Sequence, residues 1–227
     1  MFSLTLSNII ITILIYFGAR LLYKHVSNPF TTPVLLATIV IIIILIIADI
    51  NYEQYAPAKD WITYFLGPGT VALAVPMYKN RVVIKENAVQ VLGSLTVGSI
   101  ATIASAVYIS KLLNLSEMIQ ATSAVKAVTI PVALEVVTLI GGDPSLAAVL
   151  VITAGIFGAA FGPLCLTLCK IHDPISRGLG MGTVSHGIGT SQAVVEGKLQ
   201  GAVSSVAMGA AAILTSIVLP LIYNIFN

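Results

Sequence analysis

Apolar runs of membrane length dominate this chain. Residues 4–23, 30–48, 87–109, 146–169 and 199 to the C-terminus each read as a stretch of low charge, near the roughly 20 residues a helix needs to cross the hydrocarbon core. With 57% hydrophobic and 9% charged residues and a mean hydropathy of +1.01, the composition lies far from the roughly 25% charge of a soluble domain. The expected fold is all-α: one polytopic transmembrane domain over residues 1–227, with about six to eight hydrophobic segments. The first run has no basic start, and Arg20 and Lys24 follow it where a small-residue cleavage pattern would stand. It reads as a retained helix, residues 4–24, rather than a signal peptide.

A formal net charge of +2 without a basic run gives no reason to expect nucleic acid as a partner. Its distribution is more telling. Arg20 and Lys24 follow the first run, and Lys79, Arg81 and Lys85 follow the third hydrophobic segment, with Asp49, Glu53, Lys59 and Asp60 between. The positive-inside rule then puts the loops near 20–28 and 79–86 in the cytoplasm and the N-terminus outside. Lys170 and Arg177 mark another inner loop only if residues 112–142 enter and leave from the outer side, as a broken hairpin around Pro131.

Lys126 and Glu135 lie in that otherwise apolar stretch, with Pro131 between them. An ionised group at membrane depth costs several kcal/mol, by roughly the lower estimates, unless it faces a cavity, a partner or a substrate. A proline there frees backbone groups and a helix end near Thr129. A second segment, residues 177–197, carries Gly178, Gly180, Gly182, Gly187 and Gly189. Each costs about 1 kcal/mol relative to Ala in a helix interior, so an unwound stretch is expected. Thr183, Ser185, His186, Thr190, Ser191 and Gln192 supply donors beside it. A helix restarting near Gly189 or Thr190 would aim its positive end at an anion such as a small carboxylate.

The two segments have weak echoes earlier in the chain. Thr31-Thr-Pro33-Val-Leu-Leu36 precedes Thr129-Ile-Pro131-Val-Ala-Leu134, and Gly67-Pro-Gly69-Thr70 precedes Gly187-Ile-Gly189-Thr190. Paired Gly/Pro-interrupted segments point to an inverted repeat, here 28–112 and 126–227. In that scheme the Gly67 segment runs outside to inside and the Gly187 segment inside to outside. Gly67, Gly69 and Thr70 thereby join Lys126, Thr129, Thr183, Ser185, His186, Gly187, Gly189 and Thr190 as expected binding residues. Glu135 and His186 are the residues suited to proton or ion coupling.

Plainer roles compete at each position. Membrane glycines allow close helix packing, and serines and threonines bond their own backbone. Lys126 could snorkel to an interface, Glu135 could cap or pair, and His186 could be a hydrogen-bonded structural residue. Asp143 reads as an N-cap before Pro144. Cys165 and Cys169 read as packing residues beside Gly155, Gly158 and Gly162; the small face of Ala154, Gly158 and Gly162 suits contact within the protein or across a homo-oligomer. Adjacent Ser185 and His186 do not form a catalytic dyad, and no metal or cofactor constellation is legible, so an enzyme is not expected.

At Lys126-Ala-Val-Thr-Ile-Pro-Val-Ala133 followed by Ser185-His-Gly-Ile-Gly-Thr190, the chain resembles the LrgB/CidB family of bacterial membrane proteins, described as antiholin-like. The likeness extends over essentially the whole chain, including Leu66-Gly-Pro-Gly-Thr-Val-Ala-Leu-Ala74 and Gly155-Ile-Phe-Gly-Ala-Ala-Phe-Gly-Pro163. Ala127 stands where the family pattern has Ser, and Ile130 where it has a second Thr, so two hydroxyls are missing. The resemblance implies a multi-pass protein of the bacterial cell (plasma) membrane and one of two functions. One is modulation of murein hydrolase export and cell lysis beside a small LrgA/CidA-like membrane partner. The other is transport of small monocarboxylates such as pyruvate, with plastid relatives moving glycolate and glycerate. Broken segments bearing Lys, His and hydroxyls at membrane depth favour transport.

Overall fold

The computed structural model describes residues 2–226, every regular element of which is helical. The chain is an all-α, polytopic membrane protein with two compact units that divide after Ala74.

The first unit holds α1 (Phe2–His25), a 3-10 turn (Pro29–Thr31), α2 (Pro33–Ile47), α3 (Tyr52–Tyr64) and α4 (Leu66–Ala72). Helix α1 packs against α2 and α3, and the Tyr55 hydroxyl meets Thr12 Oγ1 at 2.9 Å. The run at 30–48 gives a helix of only 15 residues, short of the roughly 20 needed to cross unaided. The Asn28-capped turn takes up its start, and Pro33 opens the helix late. At the other end Asp49 adopts φ 54 and terminates it.

The second unit begins with the short α5 (Ala74–Lys79) and α6 (Arg81–Glu86) and continues with α7 (Ala88–Leu112), α8 (Glu117–Ala124), α9 (Ile130–Leu139), α10 (Pro144–Leu168), α11 (Pro174–Glu196) and α12 (Lys198–Phe226). Helices α1, α7, α10 and α12 contain the candidate crossings, each at least 22 residues long.

Four helices stop by one device. After α2, α7, α9 and α10 a residue at φ 53–74 (Asp49, Asn114, Gly141, Lys170) turns the chain, and the next N–H bonds back to the carbonyl five residues earlier: Ile50 to Leu45, Leu115 to Ser110, Gly142 to Val137 and Ile171 to Leu166. This satisfies carbonyls that lipid could not. Asp143 then caps α10 through Leu146 N–H at 2.7 Å, as its position after the two glycines suggested. Cys165 and Cys169 are free and exposed. They do not pack beside the glycines, because their helical face turns outward.

Two elements of the second unit fold back on themselves. Thr122 Oγ1 accepts from Asp143 N–H at 2.9 Å across 21 residues, a span that a straight helix would stretch over about 30 Å. The segment from α8 to α9 therefore goes in and returns, with its break at residues 125–129, as the charge pattern required.

Helix α11 does the same, and here the expected inside-to-outside crossing is overturned. Arg177 and Glu196 pair at 2.9 Å although 19 residues separate them, about 28 Å along a straight helix. Gly178 packs on Gln200 and Val203, Gly182 on Ser204 and Ala207, while Gly201 packs on Val194 and Thr190 bonds Ser204. One arm of α11 thus runs parallel to α12 and the other antiparallel. The fold lies at His186, where φ 40 and ψ −133 interrupt the helix. The glycines do not unwind this segment; unwinding is confined to one non-glycine residue, and Gly178 and Gly182 serve close packing instead.

Each hairpin has its own core. Val91, Leu95, Leu179 and Val203 cluster with Ile84 and Leu199 around the base of α11. Ala121, Val125, Val128, Ala133, Val137 and Val151 cluster with Leu219 around the other hairpin. The first cluster joins the start of α7 to the base of the α11 hairpin, so Lys85, Lys170, Arg177 and Lys198 gather at one end of this unit, as the charge pattern anticipated.

Candidate functional site

Both breaks stop near the middle of a long helix. Lys126 Nζ donates to Thr102 O at 3.1 Å, two residues past Ile100, the midpoint of the 25-residue α7. His186 Nε2 donates to Val151 O at 2.9 Å, and a methyl built on Gly155 would stand 2.7 Å from His186 Cε1. Gly155 is one residue from Ile156, the midpoint of the 25-residue α10. The hairpins enter from opposite ends of the unit, and each stops part-way along the long helices it packs on.

Helix α7 links the tips. Thr183, three residues before the α11 fold, has its Cγ2 3.3 Å from a methyl built on Gly98. Gly98 and Thr102 are one turn apart, about 6 Å, and joined by Thr102 Oγ1 donating to Gly98 O at 2.7 Å. On the other side Val151, which receives His186, packs in the same cluster as Val125 and Val128, the residues flanking the Lys126–Ala127 turn.

The expected site residues divide accordingly. Lys126 and Thr183 both reach α7, at Thr102 and Gly98, while His186 reaches α10 at Val151 and Gly155. Thr129 stands at the N-cap of α9 with extended backbone but makes no side-chain cap. Ser185 presses on the bare face of Gly158, and Gly189 on Ser185 and the Met181 carbonyl, so both build the bend of α11. Thr190 donates to His186 O at 2.8 Å and meets Ser204 Oγ at 2.9 Å, tying the returning arm to α12. Gly187 follows the fold, with open packing against Met208. Glu135 is exposed, on the opposite face of α9 from Ala133, Val136 and Val137. Gly67 and Gly69 lie in α4 of the first unit with nothing near their missing Cβ; the Thr70 side chain lies outside the described residues.

An ammonium has three donors, and Thr102 takes one. This lysine is partly buried rather than snorkelled, in a break where backbone bonding is incomplete. The His186 contact fits a structural pin: the imidazole holds the strained tip to α10. Ser99 and Thr102 were missed from sequence, since hydroxyls in an apolar helix read as bonded to their own backbone. Among the described residues no group of His, Cys, Asp and Glu could hold a metal ion.

Comparison with known proteins agrees with the motifs. The LrgB-like family model matches residues 12–225. The chain is 35% identical to Bacillus subtilis YwbG over 217 residues, covering 96% of each chain. It is 31% identical to the holin-like protein CidB of Staphylococcus aureus, covering 96% of this chain and 95% of the other. To the antiholin-like protein LrgB of Bacillus mycoides it is 29% identical, covering 94% and 93%. No solved structure matches. With a family match over nearly its whole length and the motifs at both hairpin tips, the chain belongs to the LrgB-like family.

Proposed function

We propose that this protein carries small monocarboxylates, such as pyruvate or glycolate, across the bacterial cell membrane by alternating access. One observation carries the reading: two helical hairpins enter from opposite ends, and their tips stop part-way along the long helices, Lys126 two residues past the centre of α7 and His186 against Val151 and Gly155, five and one residues before the centre of α10. Hairpins that are each anchored at one end and stop part-way across are the parts a two-sided gate requires. A helix that only associates with others to form a pore has no need of a lysine held at that depth.

In this scheme the Lys126 ammonium takes the carboxylate, beside Thr183 and the α11 tip. His186 keeps Nε2–H on Val151 O, so Nδ1 is where a coupled proton would bind; Glu135 faces away and would need a large movement to take part. The end bearing Lys85, Lys170, Arg177 and Lys198 is cytoplasmic by the positive-inside rule. The duplication fits the element order: Pro33 and Pro131 each open a short apolar helix, and each half closes on a long one, α7 or α12.

A second reading is modulation of murein hydrolase export and cell lysis beside a small LrgA/CidA-like partner. The holin-like and antiholin-like names of full-length relatives favour it. Purified protein in vesicles separates the two. Saturable uptake of labelled pyruvate or glycolate, lost in Lys126→Ala, supports transport. Leak of an uncharged dye without saturable uptake, or uptake unchanged in the Lys126→Ala/His186→Ala double variant, rejects it in favour of the second reading.

A further inference from the structure

Hydroxyls in these helices follow one habit. Thr96, Thr102, Thr153 and Ser205 each donate one turn back, to Leu92, Gly98, Val149 and Gly201 carbonyls. Ser99 breaks it. Its Oγ is enclosed and has no hydrogen-bond partner among the described residues, at 4% exposure. Such a group is costly in a packed interior and needs a reason.

Its position supplies one. Ser99 sits on the buried face of α7 with Leu95 and Ala106, between Gly98, on which Thr183 packs, and Thr102, whose carbonyl holds Lys126. The two hairpin tips therefore flank it, one from each end. The geometry points to Ser99 as a specificity-determining residue of the transport site: its hydroxyl binds a neutral oxygen on the carbon next to the carboxylate, while the Lys126 ammonium binds the carboxylate itself. This inference rests on the transport reading above. Ser99 and Thr102 are one turn apart, so ammonium and hydroxyl form a charged point and a neutral point within the reach of a three-carbon acid. A hydroxyl sealed in the packed interior beside the hairpin contacts becomes reachable when a hairpin moves, as alternating access requires.

A site built to bond an oxygen rejects the analogue that lacks it far more strongly than a site that merely fits shape. Pyruvate and propionate are a matched pair, differing by that oxygen. Binding of labelled pyruvate to the full chain in detergent, with unlabelled propionate as competitor, is the test. The wild type is expected to prefer pyruvate by about a hundredfold or more. In Ser99→Ala pyruvate should weaken at least tenfold with propionate unchanged, and Ser99→Thr, which keeps the hydroxyl, should retain the preference. Equal loss of both acids in Ser99→Ala, or an unchanged ratio, overturns the role of Ser99 and leaves transport standing. A wild type that binds neither acid overturns transport and this inference with it.

Discussion

The clasp at the base of α11 makes the hairpin testable without any substrate. Arg177 pairs with Glu196 bidentately, Nε to Oε2 at 2.9 Å and Nη2 to Oε1 at 3.0 Å, with the side chains 12% and 14% exposed. Removing one member of a buried pair costs about 3–5 kcal/mol, because a charge is left without its counterion. Arg177 also donates to the Ile171 and Pro163 carbonyls, and both groups retain some access to water. Glu196→Ala should therefore cost roughly 2–4 kcal/mol. The measure is unfolding in detergent, followed as loss of the monodisperse species. Spin labels at Ser176→Cys and Val195→Cys, exposed positions beside the pair and also 19 residues apart, with the exposed Cys165 and Cys169 replaced by Ser, should show strong dipolar broadening. Labels near 28 Å, the straight-helix value, together with a stability change under about 0.5 kcal/mol, would refute the folded-back reading of α11.

Other outcomes follow from single contacts. Gly182→Ala drives a methyl into the Ser204 carbonyl and should destabilise by about 1–3 kcal/mol. Gly93→Ala, with nothing within 4 Å, should be neutral or stabilise by up to about 1 kcal/mol; equal effects in a thermal melt would contradict the packing. Lys170→Gly relieves a left-handed turn at φ 59 and should raise stability by about 1 kcal/mol, more than Asn114→Gly, since Asn tolerates that conformation better. At Asp173 the Ser176 backbone N–H, then its hydroxyl, holds the carboxyl below its ordinary value. Its capping contribution is thus complete above the usual carboxylate range and lost as pH falls through the lowered value. The gap in melting temperature between wild type and Asp173→Ala should be widest near neutrality and close in strong acid; a constant gap would show that charge plays no part.

Much of this architecture is legible in the residues, for identifiable reasons. Lys126 and Pro131 announce a break because neither belongs in a simple spanning helix, and the basic residues at 79–85 and 170–177 force the intervening segment to return. The reversal of α11 escapes such reading. It depends on Arg177 meeting Glu196, a pairing with no helical periodicity, and on a break at His186, where five nearby glycines are better breakers by propensity. Gly178 and Gly182 are instead bare surfaces that let α11 approach α12, and Gly189 lets the returning arm of α11 approach its first. Ser99 escapes for the opposite reason: nothing in its local sequence separates it from hydroxyls that bond their own helix, and only its neighbours in space do.

On the proposed transport reading, the placement of the two tips has an electrical consequence. Where water fills the space above one tip and below the other, the membrane potential no longer falls evenly across the bilayer but is concentrated over the short contact along Gly98–Thr102. An anion passing between them would cross most of the voltage within about one helical turn, at roughly 2.3 kcal/mol per 100 mV for a unit charge, so the passage itself becomes the voltage-sensitive step.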